Sequence, residues 1–206
     1  MVERALSRGL LGGLFLIIAL TQFVGMWHAG SWILRTHDAL SATLWGMFAV
    51  LVVIRPVPIH RASSRLGLVV AIGAQSGALL IGAVTDRAGS GASLVIGTIL
   101  LASGLSFAIA SVAFLGTCFG ILPDVRGLVT GGPYRVVRHP LYLGELTAML
   151  GIAIASSHWL VAVLLWVATL GLQLARTHFE EQSLGAVFPE YREYAARTKR
   201  LIPGLV

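Results

Sequence analysis

Charge is scarce in this chain. Charged residues fill 12% of its 206 positions and hydrophobic residues fill 56%, whereas a soluble domain averages about 25% charged. The expected solvent for most of the chain is therefore lipid. The length suits one compact membrane domain and leaves no room for a large soluble one. A lone cysteine, Cys118, excludes an internal disulfide and a cysteine-rich metal site. Asparagine is missing altogether, so there is no N-glycosylation sequon. Lysine occurs once against fourteen arginines, a usage that suits a GC-rich bacterial genome. No Walker loop occurs, and no GxGxxG in a strand–turn–helix context, which excludes a soluble nucleotide-binding fold. His28, His37 and His60 are expected in loops without ligand spacing, so no metal is expected. The net charge of +6 does not point to nucleic acid. The basic residues fall between apolar runs and form no single stripe.

Six apolar runs remain: Leu10–Met26, Leu40–Ile54, Leu66–Val84, Ala92–Phe114, Tyr142–Ser156 and Trp159–Ala175. They are too long for barrel strands and do not alternate, so helices are expected. A crossing takes about 20 residues. The second and fifth runs are short, and little more than Ser157-His158 separates the fifth from the sixth, which predicts a tight helical hairpin. The first run is read as a retained helix, with cleavage after Gly30 as the alternative. Six crossings with both termini inside place 13 of the 15 Lys and Arg residues on the inner side, leaving Arg35 and Arg87 outside. This asymmetry predicts cytoplasmic termini in a bacterial inner membrane. Trp27, Trp32 and Trp159 then form an outer aromatic belt. Gly73 and Gly77 form a GxxxG expected to pack helices closely.

Two stretches do not read as plain anchors. In "GGPYRVVRHPLYLGE", residues 131–145, a glycine–proline turn, beginning shortly after Pro123, leads to Arg138, His139 and Pro140 at a helix start. Arg135, Arg138, His139 and the amides near Leu141 and Tyr142 suit a carboxylate or phosphate. The competing reading is that the arginines obey the positive-inside rule and grip lipid headgroups. Glu145 lies about one turn into an apolar helix. A carboxylate there costs about 2.5–3.5 kcal/mol on insertion scales, so it faces a partner or cavity unless it reaches interfacial water. The second stretch, "ARTHFEEQSLGAVFPEYREYAARTKRLIP", continues the sixth run as a helix. Arg176 shares a face with Glu180, and Thr177 with Glu181. The adjacent glutamates diverge by about 100°, so one can face inward while the other meets water. Phe188, Tyr191 and Tyr194 recur at three-residue steps, which predicts a short helix folding back as a cap or lying on the membrane surface.

These residues, in this order, resemble the isoprenylcysteine carboxyl methyltransferase and phospholipid methyltransferase superfamily of membrane enzymes. The likeness covers roughly residues 116–203. It implies an all-α polytopic bundle of about six transmembrane helices, with N-terminal helices over residues 1–115 and a methyltransferase core over residues 116–206. It also implies a cytoplasmic S-adenosylmethionine pocket formed by the C-terminal hairpin and tail. By motif match, Arg138, His139, Pro140, Tyr142, Gly144, Glu180 and Glu181 would shape that pocket, with Leu141 supplying a helix-start amide. The partner would be a lipophilic small molecule or lipid arriving from the bilayer. For a carboxylate acceptor, Arg135 or Arg176 would be the catalytic cation; for an amine, Glu145 would be the base. The sequence leaves both open. A membrane NADPH-dependent reductase of sterol-reductase type and a non-catalytic lipid-binding protein are the alternatives.

Overall fold

The computed structural model describes residues 2–61, 64–84, 91–120, 122 and 124–202. Arg87, Pro123 and Pro203 lie outside the described residues. Each of the six apolar runs is a helix: α1 (Val2–His28), α2 (Trp32–Ile54), α3 (Arg65–Val84), α4 (Gly91–Leu115), α5 (Pro140–Ile154) and α6 (Trp159–Val187). A short α7 (Tyr191–Arg197) follows. Among the described residues, α1, α2, α4 and α6 are long and apolar enough to cross a membrane. The chain is an all-helical integral membrane protein. α3, at 20 residues, and the 15-residue α5 complete the bundle. The expected six crossings thus correspond to four long apolar helices and two shorter ones.

Three helices extend well beyond their apolar runs. α1 runs from Val2 to His28 instead of from Leu10 to Met26, which corrects the reading of His28 as a loop residue. α2 starts at Trp32 instead of Leu40, because the Ser31 hydroxyl accepts the Leu34 N–H at 3.3 Å and caps the helix. This corrects the reading of His37 as a loop residue. α6 continues from Ala175 to Val187, keeping the polar Arg176–Ser183 segment helical as expected.

Close approach of backbones sets the packing. On α4, Gly97 and Gly104 are seven residues apart; on α5, Gly144 and Gly151 have the same spacing. A Cβ on Gly104 would lie 2.6 Å from Gly144 O, and one on Gly144 would lie 2.7 Å from both Gly104 O and Ala108 N. Only hydrogen side chains let these helices touch this closely. Gly73 and Gly77 do the same for α3, against Leu172 and Thr169 of α6. α1 pairs with α2, and α2 packs on α4, around Phe15, Trp45 and Phe48. Leu10, Ile17, Leu164 and Val167 point outward into the space that lipid fills.

At one end of the bundle the connections are joined to one another. The Ile59 and Val125 amides donate to Val125 O and His60 O at 2.7 and 2.9 Å, tying the α2–α3 connection to the α4–α5 connection. The tail returns to the same region. Arg138 N–H donates to Lys199 O at 2.8 Å, and His139 N–H to Arg200 O at 3.1 Å. The basic start of α5 is thereby held against the extended segment at Lys199 and Arg200.

Candidate functional site

The two distant stretches meet at the start of α5. Arg138 and His139 precede the helix, Pro140 takes its first position, and Leu141 and Tyr142 fill its first turn. Opposite them, α6 presents Glu180 and Glu181. Arg138 Nε donates to Glu181 Oε1 at 2.8 Å, and His139 Nε2 lies 3.2 Å from the same oxygen. Arg200 Nε and Nη2 donate to Glu181 Oε2 at 3.1 and 2.9 Å. Glu181 thus fastens the helix start and the tail at once. Arg138 Nη1 donates in addition to Ala195 O, at 2.9 Å, and to Thr198 O.

Glu180 serves a second, deeper cluster. Tyr142 donates its hydroxyl to Glu180 Oε1 at 2.6 Å, and Arg176 Nε donates to the same atom at 3.1 Å. The Arg176 guanidinium lies 4.6 Å from the Tyr142 ring centre. His139 stacks on that ring with centroids 5.5 Å apart and planes 6° apart. Glu180 Oε2 has the longer 3.6 Å approach of His139 Nδ1. Both glutamates are therefore drawn inward. The expectation that one faces inward while the other meets water does not hold, because cations and hydroxyls surround both.

Arg138, His139, Tyr142 and Glu180 edge a cleft of about 100 Å³, together with Tyr134, Tyr191 and Tyr194, while Glu181, Arg176 and Arg200 stand outside its lining. Burial, with the Glu180 charge nearby, drives the Tyr134 phenol far above its ordinary range, and burial pushes Tyr194 up to about 12. Both remain neutral hydroxyls at physiological pH. The Tyr194 hydroxyl donates to Tyr134 O at 2.7 Å and pins α7 over the cleft.

Arg126, which the sequence reading counted only as an inner-side charge, also lines this cleft. Its side chain is 3% exposed and it pairs with Asp124 at 3.2 Å, yet its Nη1 is buried with no hydrogen-bond partner among the described residues. Burial, offset by the Asp124 charge, lowers its pKa. Arg55 nearby is pushed down to about 10 by burial and by the Arg126 and Arg8 charges. A positive-inside count registers all of these arginines alike, so nothing in the sequence singled Arg126 out.

The other expected site residues divide. Gly144 lines neither the cleft nor the larger cavity beyond it, and its role in the structure is contact with α4. Arg135 is exposed at the end of the turn Gly132–Arg135 and lines neither space. Arg135→Ala should shift stability by no more than about 0.5 kcal/mol, the range usual for surface changes, as a thermal melt in detergent would read. Arg176 is 2% exposed and lines neither space, its guanidinium being buried against Glu180 and Tyr142. Glu145 lines the larger cavity and accepts from Gln173 Nε2 at 3.3 Å.

Residues 88–191 match the model of the phospholipid methyltransferase family. The chain belongs to that family. The matched segment holds α4, α5, α6 and every cleft residue named above except Tyr194 and the tail. Two curated relatives are similar over 78 residues. One is the cobalt-zinc-cadmium resistance protein CzcN of Cupriavidus metallidurans, 38% identical over 38% of this chain and 36% of that protein. The other is the nickel-cobalt-cadmium resistance protein NccN of Alcaligenes xylosoxydans xylosoxydans, 35% identical over 38% and 37%. The match thus spans little more than a third of either curated relative. As a phospholipid methyltransferase family member, the chain carries its arginine–histidine–proline motif and its glutamate pair in one bonded cluster.

Proposed function

We propose that the protein transfers a methyl group from S-adenosylmethionine to a lipophilic amine at the cytoplasmic face of a membrane. The observation that carries this reading is the junction of Arg138 and His139 with Glu180 and Glu181 beside the cleft.

The residues suit the cofactor's chemistry. Its methionyl end is a zwitterion. The unpartnered Nη1 of Arg126 offers a donor for the carboxylate, and Glu180 Oε2 offers an acceptor for the ammonium or a ribose hydroxyl. The aromatic rings of Tyr134 and Tyr194 offer flat apolar surface. The cleft's 100 Å³ is below the roughly 300–1,000 Å³ of usual ligand pockets. Binding therefore requires the tail or the 124–129 loop to move outward. When bound, S-adenosylmethionine supplies an electrophilic methyl on a sulfonium.

The chain's own residues position the partners and exclude water. Tyr142 lines the cleft and, with the buried Arg176, fixes Glu180 there by hydrogen bonds. On the far side, Glu145 and the unpartnered Oε1 of Gln173 face the larger cavity. Because Gln173 turns its NH₂ to Glu145, this end of the cavity presents hydrogen-bond acceptors. Acceptors suit a group with N–H donors and disfavour a carboxylate. Glu145 is placed to take the proton that an ammonium must lose before its nitrogen becomes nucleophilic. Arg135, the cation considered for a carboxylate acceptor, is outside the cavity, and Arg176 is engaged by Glu180 and Tyr142.

Isothermal titration of the purified protein with S-adenosylhomocysteine and with NADPH tests the cofactor. S-adenosylhomocysteine alone should bind. Binding of NADPH alone would replace this reading with the reductase, and binding of neither would favour a lipid-binding protein. Mass spectrometry of lipid extract incubated with enzyme and methyl-labelled cofactor should show label on nitrogen.

A further inference from the structure

The end of the bundle that carries the cleft also holds a second group of cations. It gathers where α1 begins, α2 ends and the α4–α5 connection meets them. Arg55 caps the C-terminal end of α2. Arg126 lies beside it, donating from Nε to Pro56 O at 3.3 Å. The backbone bonds between Ile59, His60 and Val125 fix the two connections to each other. Arg8 arrives from α1. A Cβ on Gly12 would lie 2.8 Å from Val53 Cγ2, and one on Gly25 would lie 3.3 Å from Asp38 Oδ2, so α1 and α2 run antiparallel. One turn before Gly12, about 6 Å along the axis, Arg8 stands level with the residues that follow Val53.

The positive charge of this group exceeds the negative. Asp124 pairs with Arg126 at 3.2 Å. Among the described residues Arg8 and Arg55 have no ion pair, and Arg55 Nε is a buried donor without a hydrogen-bond partner. Burial and the Arg126 and Arg8 charges push Arg55 down to about 10. Cations drawn together out of water repel one another unless an anion lies between them. A guanidinium stays protonated at physiological pH, so relief requires that anion. The cofactor's carboxylate does not supply it. Of the three arginines Arg126 lines the cleft, while Arg8 and Arg55 do not.

Guanidinium forks match the oxygens of a phosphate. The surroundings say what carries it. The apolar spans of α1 and α2 run over Arg8–His28 and Trp32–Ile54, so Arg8 and Arg55 stand at their edges, where headgroups lie. Leu10 beside Arg8, and Val53, Ile54, Val57 and Ile59 around Arg55, are all more than half exposed. A free phosphate gains nothing from that apolar surface, whereas the chains of a lipid lie along it.

We propose that Arg8 and Arg55, with Arg126 beside them, form a binding site for the phosphate of one membrane lipid, with its chains along the exposed apolar side chains of α1 and α2. Arg8 and Arg55 precede the family-matched segment, and the site is independent of the methyltransferase reading. The lipid neutralises the junction of α1, α2 and the α4–α5 connection. Through Arg126 and Val125 it braces the 124–129 loop that lines the cleft.

Native mass spectrometry of the detergent-purified full chain tests it, with phosphatidylglycerol, diacylglycerol and inorganic phosphate as probes. The parent protein should retain one phosphatidylglycerol per chain. Diacylglycerol, which has the chains without the phosphate, should bind at least tenfold more weakly, and excess inorganic phosphate should not displace the phospholipid. Arg55→Gln should weaken phosphatidylglycerol about tenfold, the usual weight of a charged hydrogen bond. Arg8→Gln is the second variant and should do the same. Arg135→Gln removes the same charge from an exposed position and should change nothing. Phosphatidylglycerol should raise the melting temperature of the parent protein and of Arg135→Gln, and leave that of Arg55→Gln where it was. Equal retention by the parent and both site variants, an equal loss in Arg135→Gln, diacylglycerol bound as tightly as the phospholipid, or displacement by inorganic phosphate would overturn the proposal. If S-adenosylhomocysteine fails to bind while the lipid results hold, the cofactor reading falls and this site stands.

Discussion

Glu181→Ala should lower the affinity for S-adenosylhomocysteine at least a hundredfold by isothermal titration. Glu181 accepts from Arg138 and from both Arg200 donors, and it lies beside His139. Hydrogen bonds to charged groups contribute about 1.5–3 kcal/mol each, and a hundredfold loss corresponds to about 2.7 kcal/mol. Truncation leaves Arg138 and Arg200 facing each other with no anion between them. The tail, held to residues 138 and 139 by two backbone bonds, is then pushed away from the start of α5, whose Arg138 and His139 line the cleft. Glu181→Gln keeps the shape and two acceptor lone pairs but loses the charge, and should cost about tenfold, a smaller loss than truncation. Affinity unchanged in both variants would show that the cofactor binds elsewhere.

Gly144→Leu should yield no monodisperse protein on size-exclusion chromatography in detergent. The missing Cβ would sit 2.7 Å from backbone atoms of Gly104 and Ala108, and backbone cannot swing aside as a side chain can. The helices would have to separate along the seam that joins α5 to α4, displacing Tyr142 and Glu145 together. Gly144→Ala asks for a smaller separation and should lower the melting temperature at a cost of about 1–3 kcal/mol, the usual penalty for overpacking. The pair of variants also separates two roles for this glycine. The family resemblance makes it part of the cofactor pocket, whereas its contacts make it a helix-packing residue. An alanine variant with a normal melt and lost cofactor binding would favour the first.

Much of the architecture was legible in the sequence. Each apolar run became a helix, because a backbone in lipid must satisfy its own hydrogen bonds and long apolar segments have one way to do so. The meeting of the arginine–histidine–proline motif with the glutamate pair was expected through the family resemblance, which puts both stretches around one pocket; the residues alone left lipid headgroups and water as their partners. The start of α2 was not legible. His37 read as loop because it lies outside the apolar run that begins at Leu40, yet a helix tolerates polar residues wherever its neighbours leave a cavity for them.

Hydropathy and charge placement alone determined that the chain is a membrane helix bundle with one basic side. Only the tertiary structure decided which arginine does what: Arg135 in solvent, Arg176 buried against Glu180 and Tyr142, Arg126 with a spare donor in the cleft. It also decided that helices outside the family match help wall the cavity that Glu145 lines. Hydropathy is a local sum over one segment. Whether a buried polar group faces a neighbour, a void or water depends on which helices surround it, and that is a property of the packed bundle.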